Sequence, residues 1–305
     1  MELTDLRYFW HAASLGSFQR AAATVHVTPP AISKAVKRLE ADLGTALFVR
    51  TTRRVTLTAG GEALRAHAER ILREVDDLRS ELEGRTTPVH GELRIAAMEV
   101  FSTRLLPEAL TTLIRAQPKL VPLAYEMYPE RMETLLVQGR IDVGLTVGGG
   151  TRTELEYRAL GRSPGVLVCG RRHPLHARGR ITPKQASELP FVVPRFLDAE
   201  HLPPLDQFPE QLAARRVGAT IELLQMGIEL AMGGEFLGYF PEMTLTPYLR
   251  DGRLRVLRGL PDGRPFDLRV ITRKGVRPKA GVTLLIEALQ AQLDASARVT
   301  GQRRA

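Results

Sequence analysis

One cysteine and one tryptophan serve the whole 305-residue chain, and scarcity of the first already excludes something. A lone thiol, Cys169, can close no intramolecular disulfide and furnish no thiolate metal cluster, which suits a reducing cytosol. Within the apolar run VLVCG it reads as a small core residue. No segment reaches the ~18 uninterrupted apolar residues of a membrane span. The beginning of the chain, MELTDLR, carries acids where an export signal needs cations and then an apolar run. A soluble, cytoplasmic protein without membrane contact is expected. Catalytic signatures are missing as well: there is no GxSxG elbow, no GxxxxGK(S/T) phosphate loop and no HExxH. The run Gly148-Gly149-Gly150 lacks the spacing and the acidic partner of a dinucleotide site. His173 and His176 flank Pro174 with no cysteine or carboxylate ligand nearby. The expectation is a binding protein, not an enzyme, with no catalytic residue, metal or cofactor.

What is present is positive charge. Forty-three Lys and Arg against 34 Asp and Glu give a formal charge of +9, which points to an anionic partner. Residues 1–60 hold eight Lys/Arg and four Asp/Glu, a net of +4. Much of the remaining excess lies beyond residue 90, so the total does not locate a nucleic-acid surface. The stretch 28–43, TPPAISKAVKRLEADL, is more telling. Thr28 is a good N-cap, and Pro29 and Pro30 fit a first helical turn, where N–H groups lack intrahelical partners anyway. Ile32, Val36, Leu39 and Leu43 then mark one buried face, while Ser33, Lys34, Lys37 and Arg38 share the other. Such a helix can pack its back on a small core and present its front to a phosphate-lined groove, although a basic face is more often plain solvated surface.

Its neighbours decide between these readings. Leu3, Leu6, Phe9, Trp10 and Ala13 form a helical stripe ending near Gly16. Ser17 caps a short second helix, FQRAAATV, which exposes Gln19 and Arg20, and residues 26–28 turn the chain into the basic helix. Two short helices joined by a tight turn make a helix-turn-helix. LFVR, a basic turn and VTL follow as a β-wing whose Arg50, Arg53 and Arg54 would reach phosphates or the minor groove. Thr58 caps a long helix in which Leu64, Ala68, Ile71, Val75, Leu78 and Leu82 recur as a heptad seam for dimerisation; packing on its own domain is the alternative.

In order and spacing, L-x-x-F, GSFQRAAATVHVT, PPAISKAVKRLEADLGTALFVRT and LTAGGEAL resemble the DNA-binding module of LysR-type transcriptional regulators, from Leu3 to about Arg73. The resemblance implies a cytoplasmic, nucleoid-associated regulator that binds double-stranded DNA. It further implies a homodimer and commonly a homotetramer, RNA polymerase recruitment, and a region that responds to an effector. One departure is Pro29, where the family often has a hydrogen-bonding side chain. Two prolines remove two N–H groups from the helix start, so base reading is expected to shift to Ser33, Lys34, Lys37 and Arg38.

Beyond a polar connector, apolar strand patterns alternate with helical ones: ELRIAA, LLPEALTTLIRAQ, VPLAYEM, a helix at 130–138 and IDVGLTV. The series resumes with VLVCG, FVVP, a helix near 205–213, ATIEL, LLQMGIELAMGG and FLGYFP, then FDLRVITR and a final helix. Alternation of this kind predicts parallel sheets with crossover helices. GELRIA, LLPEAL, GRIDVGL, RRHPL and GEFLGYFPE resemble the effector region of the same family, which implies a periplasmic-binding-protein-like α/β fold of two subdomains with a ligand cleft between them. The expected organisation is a winged helix-turn-helix at 1–58, a linker helix at 59–84 and a hinge at 85–90. One subdomain follows at 91–161 with 267–296, the second at 162–266, and a basic tail at 297–305. Ligands in such sheets sit beyond the carboxyl ends of strands. That rule, with the resemblance, nominates Met98, Glu99, Val100, Phe101, Ser102, Thr146, Arg195, Phe196 and Phe236 for effector contact. Glu99 favours an amine or hydroxyl, or pairs with Arg104 or Arg195. Arg195 and the net charge lean towards an anionic metabolite.

Overall fold

The computed structural model describes residues 1–50, 55–82, 89–195, 206–210 and 214–301, and the chain divides into two compact units, Met1–Thr87 and Pro88–Ala305. In the first, α1 (Leu3–Leu15), α2 (Phe18–Thr24) and α3 (Pro29–Leu43) precede a hairpin of β1 (Phe48–Arg50) and β2 (Val55–Leu57), and α4 (Ala59–Leu82) follows. The apolar stripes of α1 and α3 meet: Leu6, Phe9, Ile32, Val36 and Leu39 form one core with Leu47 from the wing root, and Ala21 and Ala22 let α2 in close. Gly16 and Gly44 end α1 and α3 in the left-handed region, at φ 58° and 63°, where a side chain would be strained. Ser17 caps α2 by accepting the Arg20 N–H at 3.2 Å. Thr58 caps α4, accepting the Gly61 N–H at 3.0 Å while its own hydroxyl donates to the Ala46 carbonyl at 2.7 Å. Thr28 occupies the N-cap position of α3, but its side chain makes no cap hydrogen bond. The prolines explain it: the first available amide, that of Ala31, donates to the Thr28 carbonyl at 2.9 Å.

The second unit begins with β3 (Gly91–Ala97), α5 (Glu99–Ser102), α6 (Leu105–Ala116), β4 (Leu120–Glu126), α7 (Pro129–Val137), β5 (Val143–Val147) and β6 (Leu155–Ser163). It continues with β7 (Gly165–Gly170), α8 (Pro183–Glu188), β8 (Pro190–Pro194), β9 (Arg216–Ile221), α9 (Leu224–Gly233), β10 (Leu237–Pro241), α10 (Glu242–Arg250) and β11 (Leu254–Val256), then β12 (Phe266–Arg273) and α11 (Ala280–Gly301). Two five-stranded sheets result, ordered β4-β3-β5-β12-β6 and β11-β7-β10-β8-β9.

Alternation predicts parallel sheets, and both sheets are mixed. β3 pairs parallel with β4 and β5, and β8 with β9 and β10. β12 is antiparallel to β5 and β6, and β7 to β10 and β11. The cause is the connection between lobes: the chain leaves the first sheet along β6 and returns along β12, and Ser163 and Phe266 pair at that exit. Strands β6 and β11 and helices α5, α8 and α10 add to the expected series. Helix α8 is too short to show a period, although Thr182 and Gln185 form a complete capping box, and α10 carries Pro247 inside it. ATIEL shifts to β9, so Glu222 and Leu223 form the turn into α9. Residues 206–210 of the helix expected near 205–213 are not helical, and the remainder lies outside the described residues. Residues 297–301, expected as tail, continue α11, while 302–305 and the hinge positions 85–88 lie outside the described residues.

Candidate functional site

On α3, Ile32, Ala35, Val36 and Leu39 are buried, leaving Lys34, Lys37 and Arg38 exposed and Ser33 half-buried. Lys34 and Lys37 form no ion pair among the described residues. Arg38 does. Its Nε donates to Asp5 Oδ2 at 2.9 Å and its Nη2 to Asp5 Oδ1, and Asp5 is only 2% exposed. A carboxylate buried that deeply needs a partner, so the Arg38 fork, expected to read DNA, is occupied within its own domain. Gln19, Arg20, Thr28, Pro29 and Pro30 are exposed around the same helix pair; Arg20 donates to the Leu15 carbonyl. Glu40 ties α3 to the wing, accepting the Leu47 N–H at 2.9 Å. The Arg50 side chain, Arg53 and Arg54 lie outside the described residues.

The heptad seam on α4 divides. Ala68 is fully buried in the core of the first unit, with Leu64 and Ile71 packed against it. That first half belongs to the chain's own domain, because α4 lies across α1 and the wing root. Further along, Val75 is half-buried and Leu78 is 53% exposed; the Leu82 side chain lies outside the described residues.

In the second unit a cavity of about 310 Å³ opens where strands of both sheets end, at the size of a small-molecule site. Met98, Glu99 and Val100 follow β3; Glu126, Met127 and Tyr128 follow β4; Glu222, Leu223 and Leu224 lead into α9; Asp206, Gln207 and Tyr239 complete the far wall. Of the residues expected there, Met98, Glu99 and Val100 arrive. Phe101 is turned by α5 into the core of the first lobe, with Ile95, Leu105 and Leu145. Thr146 is buried behind Met98, whose Sδ accepts from the Thr146 hydroxyl and the Val147 N–H, each at 3.4 Å. Ser102 and Arg195 are half-buried and do not line the cavity, and Phe236 packs on the second lobe's core. Phe196 lies outside the described residues.

The Glu99 carboxylate accepts the N–H of Gln225 at 2.9 Å and that of Leu224, while Arg104, one of the two arginines nominated to pair with it, pairs with Glu108 at 3.2 Å. Asp206 and Arg215, each 1% exposed, form a forked pair, and the guanidinium stacks 4.3 Å from the Phe208 ring centre. Burial and the nearby Glu99 charge raise the Glu126 carboxyl above its usual range. Burial also raises the Tyr239 hydroxyl, which accepts the Gly263 N–H at 3.1 Å. The described lining holds Glu99, Glu126, Asp206 and Glu222 and neither lysine nor arginine, so the chain's positive excess is not expressed at this cavity. Glu126, Tyr128, Glu222 and Leu223 were not anticipated. The strand-end rule that found the β3 loop, applied to β4 and β9, points to them.

Elsewhere, burial pushes the Cys169 thiol up to about 11. Among the described residues, no group of three or more His, Cys, Asp or Glu could hold a metal ion, and no helix is long and apolar enough to cross a membrane.

Comparison with known proteins places both units. Residues 3–62 match the bacterial regulatory helix-turn-helix protein model of the lysR family, and residues 86–294 the LysR substrate binding domain. The chain is 31% identical over 193 residues to the uncharacterized HTH-type transcriptional regulator YnfL of Escherichia coli, covering 63% of this chain and 65% of that one. It is 28% identical over 283 residues to the HTH-type transcriptional activator IlvY of Salmonella typhimurium, covering 90% and 94%. A full-length OxyR variant from Pseudomonas aeruginosa shares the fold, with a TM-score of 0.67 at 21% identity and 95% of each chain covered.

Proposed function

The chain belongs to the LysR family of DNA-binding transcriptional regulators, and we propose from that premise that Lys34 and Lys37 are the principal cations of its DNA-reading face. The observation that carries this is their exposure on α3, without ion-pair partners among the described residues, directly after the Ser17-capped α2. Ser33, Gln19, Arg20 and Thr28 border the same face, Pro29 and Pro30 contribute shape, and the wing arginines Arg50, Arg53 and Arg54 hold phosphates. Arg38 acts mainly by neutralising Asp5.

Val75, Leu78 and Leu82 on the outer half of α4 pair two chains. The two α3 helices then enter major grooves on one face of the duplex, about one helical turn or a multiple apart; pairs of dimers form the tetramer. A small molecule enters the cavity between the lobes, 91–161 with 267–296 and 162–266, and biases their arrangement by binding one assembly state better than the other. The readout is a change in DNA bending and in RNA polymerase recruitment on the nucleoid.

The test uses the full-length protein and DNA recovered by genome-wide mapping of its bound sites. Lys34→Ala and Lys37→Ala should each weaken binding and reduce the slope of log affinity against log salt by about 1. Unchanged affinity and slope in both variants would remove α3 from the interface.

A further inference from the structure

The first amides of a helix have no partners within it, and a polar N-cap side chain is the usual remedy. Helix α9 has none: its N-cap position is Leu223, with no side-chain hydrogen bond. The acceptor comes from the other lobe. Glu99, 125 residues away, places its carboxylate against the Leu224 and Gln225 amides, in the seat where a helix dipole and free N–H groups would otherwise receive an anion. Around that link the cavity carries Glu126 and Glu222, while Asp206 is already paired with Arg215, whose guanidinium also holds Glu210 at 2.6 Å. A carboxylate ligand would have to expel Glu99 from α9 towards two further acids, Glu126 and Glu222, whose like charge opposes the move. A cation instead compensates Glu126 and Glu222 and leaves the link in place. Met98, Met127 and Leu223 supply apolar wall.

We propose that Glu99 is a tethered occupant of the α9 anion seat, so that the cavity refuses carboxylate effectors and takes a cationic one with an apolar body. The proposal rests on the reading of this cavity as the effector site.

Two probes of similar shape and opposite charge, 2-phenylethylamine and 3-phenylpropionate, test it by calorimetric titration of the full-length protein. The amine should bind the natural sequence and lose at least tenfold in affinity in Glu126→Gln/Glu222→Gln. The acid should bind Glu99→Ala at least tenfold more tightly than the natural sequence; Glu99→Ser, which also leaves the seat open, serves if the alanine variant does not fold. Acid binding equally to both proteins, or to neither, overturns the seat. Absence of amine binding, or amine binding indifferent to Glu126 and Glu222, overturns the cationic class. Leu223→Trp separates the two levels of the reading. If the natural sequence prefers the acid and Leu223→Trp abolishes that binding, the cavity stands as the site and the class falls; binding that survives Leu223→Trp removes the cavity itself.

Discussion

Gly60 and Gly61 open α4, and alanine at these adjacent positions should act with opposite sign. A Cβ on Gly60 would lie 3.4 Å from Thr45 Oγ1 and 3.5 Å from its Cγ2, ordinary contacts. Gly60→Ala therefore keeps only the gain in helix propensity, at most about 1 kcal/mol. A Cβ on Gly61 would lie 2.1 Å from the Leu47 carbonyl oxygen and 2.9 Å from Leu57 Cδ2. That carbonyl cannot swing aside freely, because it accepts the Thr58 N–H at 3.1 Å and the Leu47 N–H is held by Glu40 at 2.9 Å. Relief to the 3.0 Å that real Cβ contacts respect requires α4 and the wing root to part by 0.9 Å (3.0 minus 2.1). Overpacking with backbone movement costs about 3 kcal/mol, and the propensity gain offsets roughly 1 of it, leaving a net loss of about 2 kcal/mol. Trp10, the single tryptophan, packs against the core of this unit, so urea unfolding followed by its fluorescence reports on the unit concerned. Gly61→Ala should lower the midpoint clearly and weaken DNA binding with it, while Gly60→Ala leaves or raises it. A Gly61→Ala midpoint equal to the natural one would refute the reasoning.

Three further outcomes follow from the same structure. Leu78→Asp should convert dimers to monomers in sedimentation velocity with Trp10-reported stability unchanged, whereas Ala68→Asp, in the buried half of the seam, should unfold the first unit; dimers surviving Leu78→Asp would remove the outer half of α4 from the interface. Arg215→Met leaves Asp206 buried and unpaired and should cost about 3–5 kcal/mol in urea unfolding followed by circular dichroism. Adding Asp206→Asn should restore part of that loss, and a double variant no more stable than the single one would contradict it. His173 is kept below its ordinary 6.5 by burial, and its Nδ1 accepts the Leu175 N–H at 3.1 Å. The unfolded chain therefore takes up a proton that the folded one resists, so stability is full above pH 6.5 and falls as the pH drops through 6.5 towards the folded value. His173→Gln should flatten the dependence of melting temperature between about pH 7.5 and 5.5, and an unaltered slope would exclude this histidine as a source.

The first unit was largely legible because its signals are local. Periodicity marked α3, Ser17 and Thr58 marked two helix starts, and glycines after Leu15 and Leu43 marked two ends. What escaped was the pairing of Arg38 with Asp5, thirty-three residues apart, because a helical wheel shows which face is polar and not what meets it. The split seam of α4 escaped for the same reason: one heptad pattern serves an internal core as well as a partner chain. In the second unit, elements with strong alternation were readable, whereas α10, interrupted by Pro247, and the short α8 were not. Antiparallel β6 and β12 could not be inferred from alternation, since their direction comes from the route between lobes. Of the effector-side nominations, Met98, Glu99 and Val100 line the cavity, whereas Phe101 and Thr146 do not, because the pitch of α5 and the pleat of β5 turn their side chains inward.

Net charge was the least informative of the sequence observations, and the structure supplies the reason. A cation contributes less to recognition when a carboxylate of its own chain has claimed it. Arg38 is claimed by Asp5 and Arg215 by Asp206, each because a buried carboxylate without a partner would cost more than an exposed arginine gains. Lys34 and Lys37 have no such claimant among the described residues, so the proposed phosphate contact of α3 rests on two lysines although the domain's formal excess is larger. At the cavity the balance inverts. Arg215 pairs with Asp206 and the α9 amides engage Glu99, which leaves Glu126 and Glu222 without an ion-pair partner among the described residues of a chain whose formal charge is +9. What each unit can bind is therefore set by the charges left after internal pairing, and these have opposite sign on α3 and in the cleft.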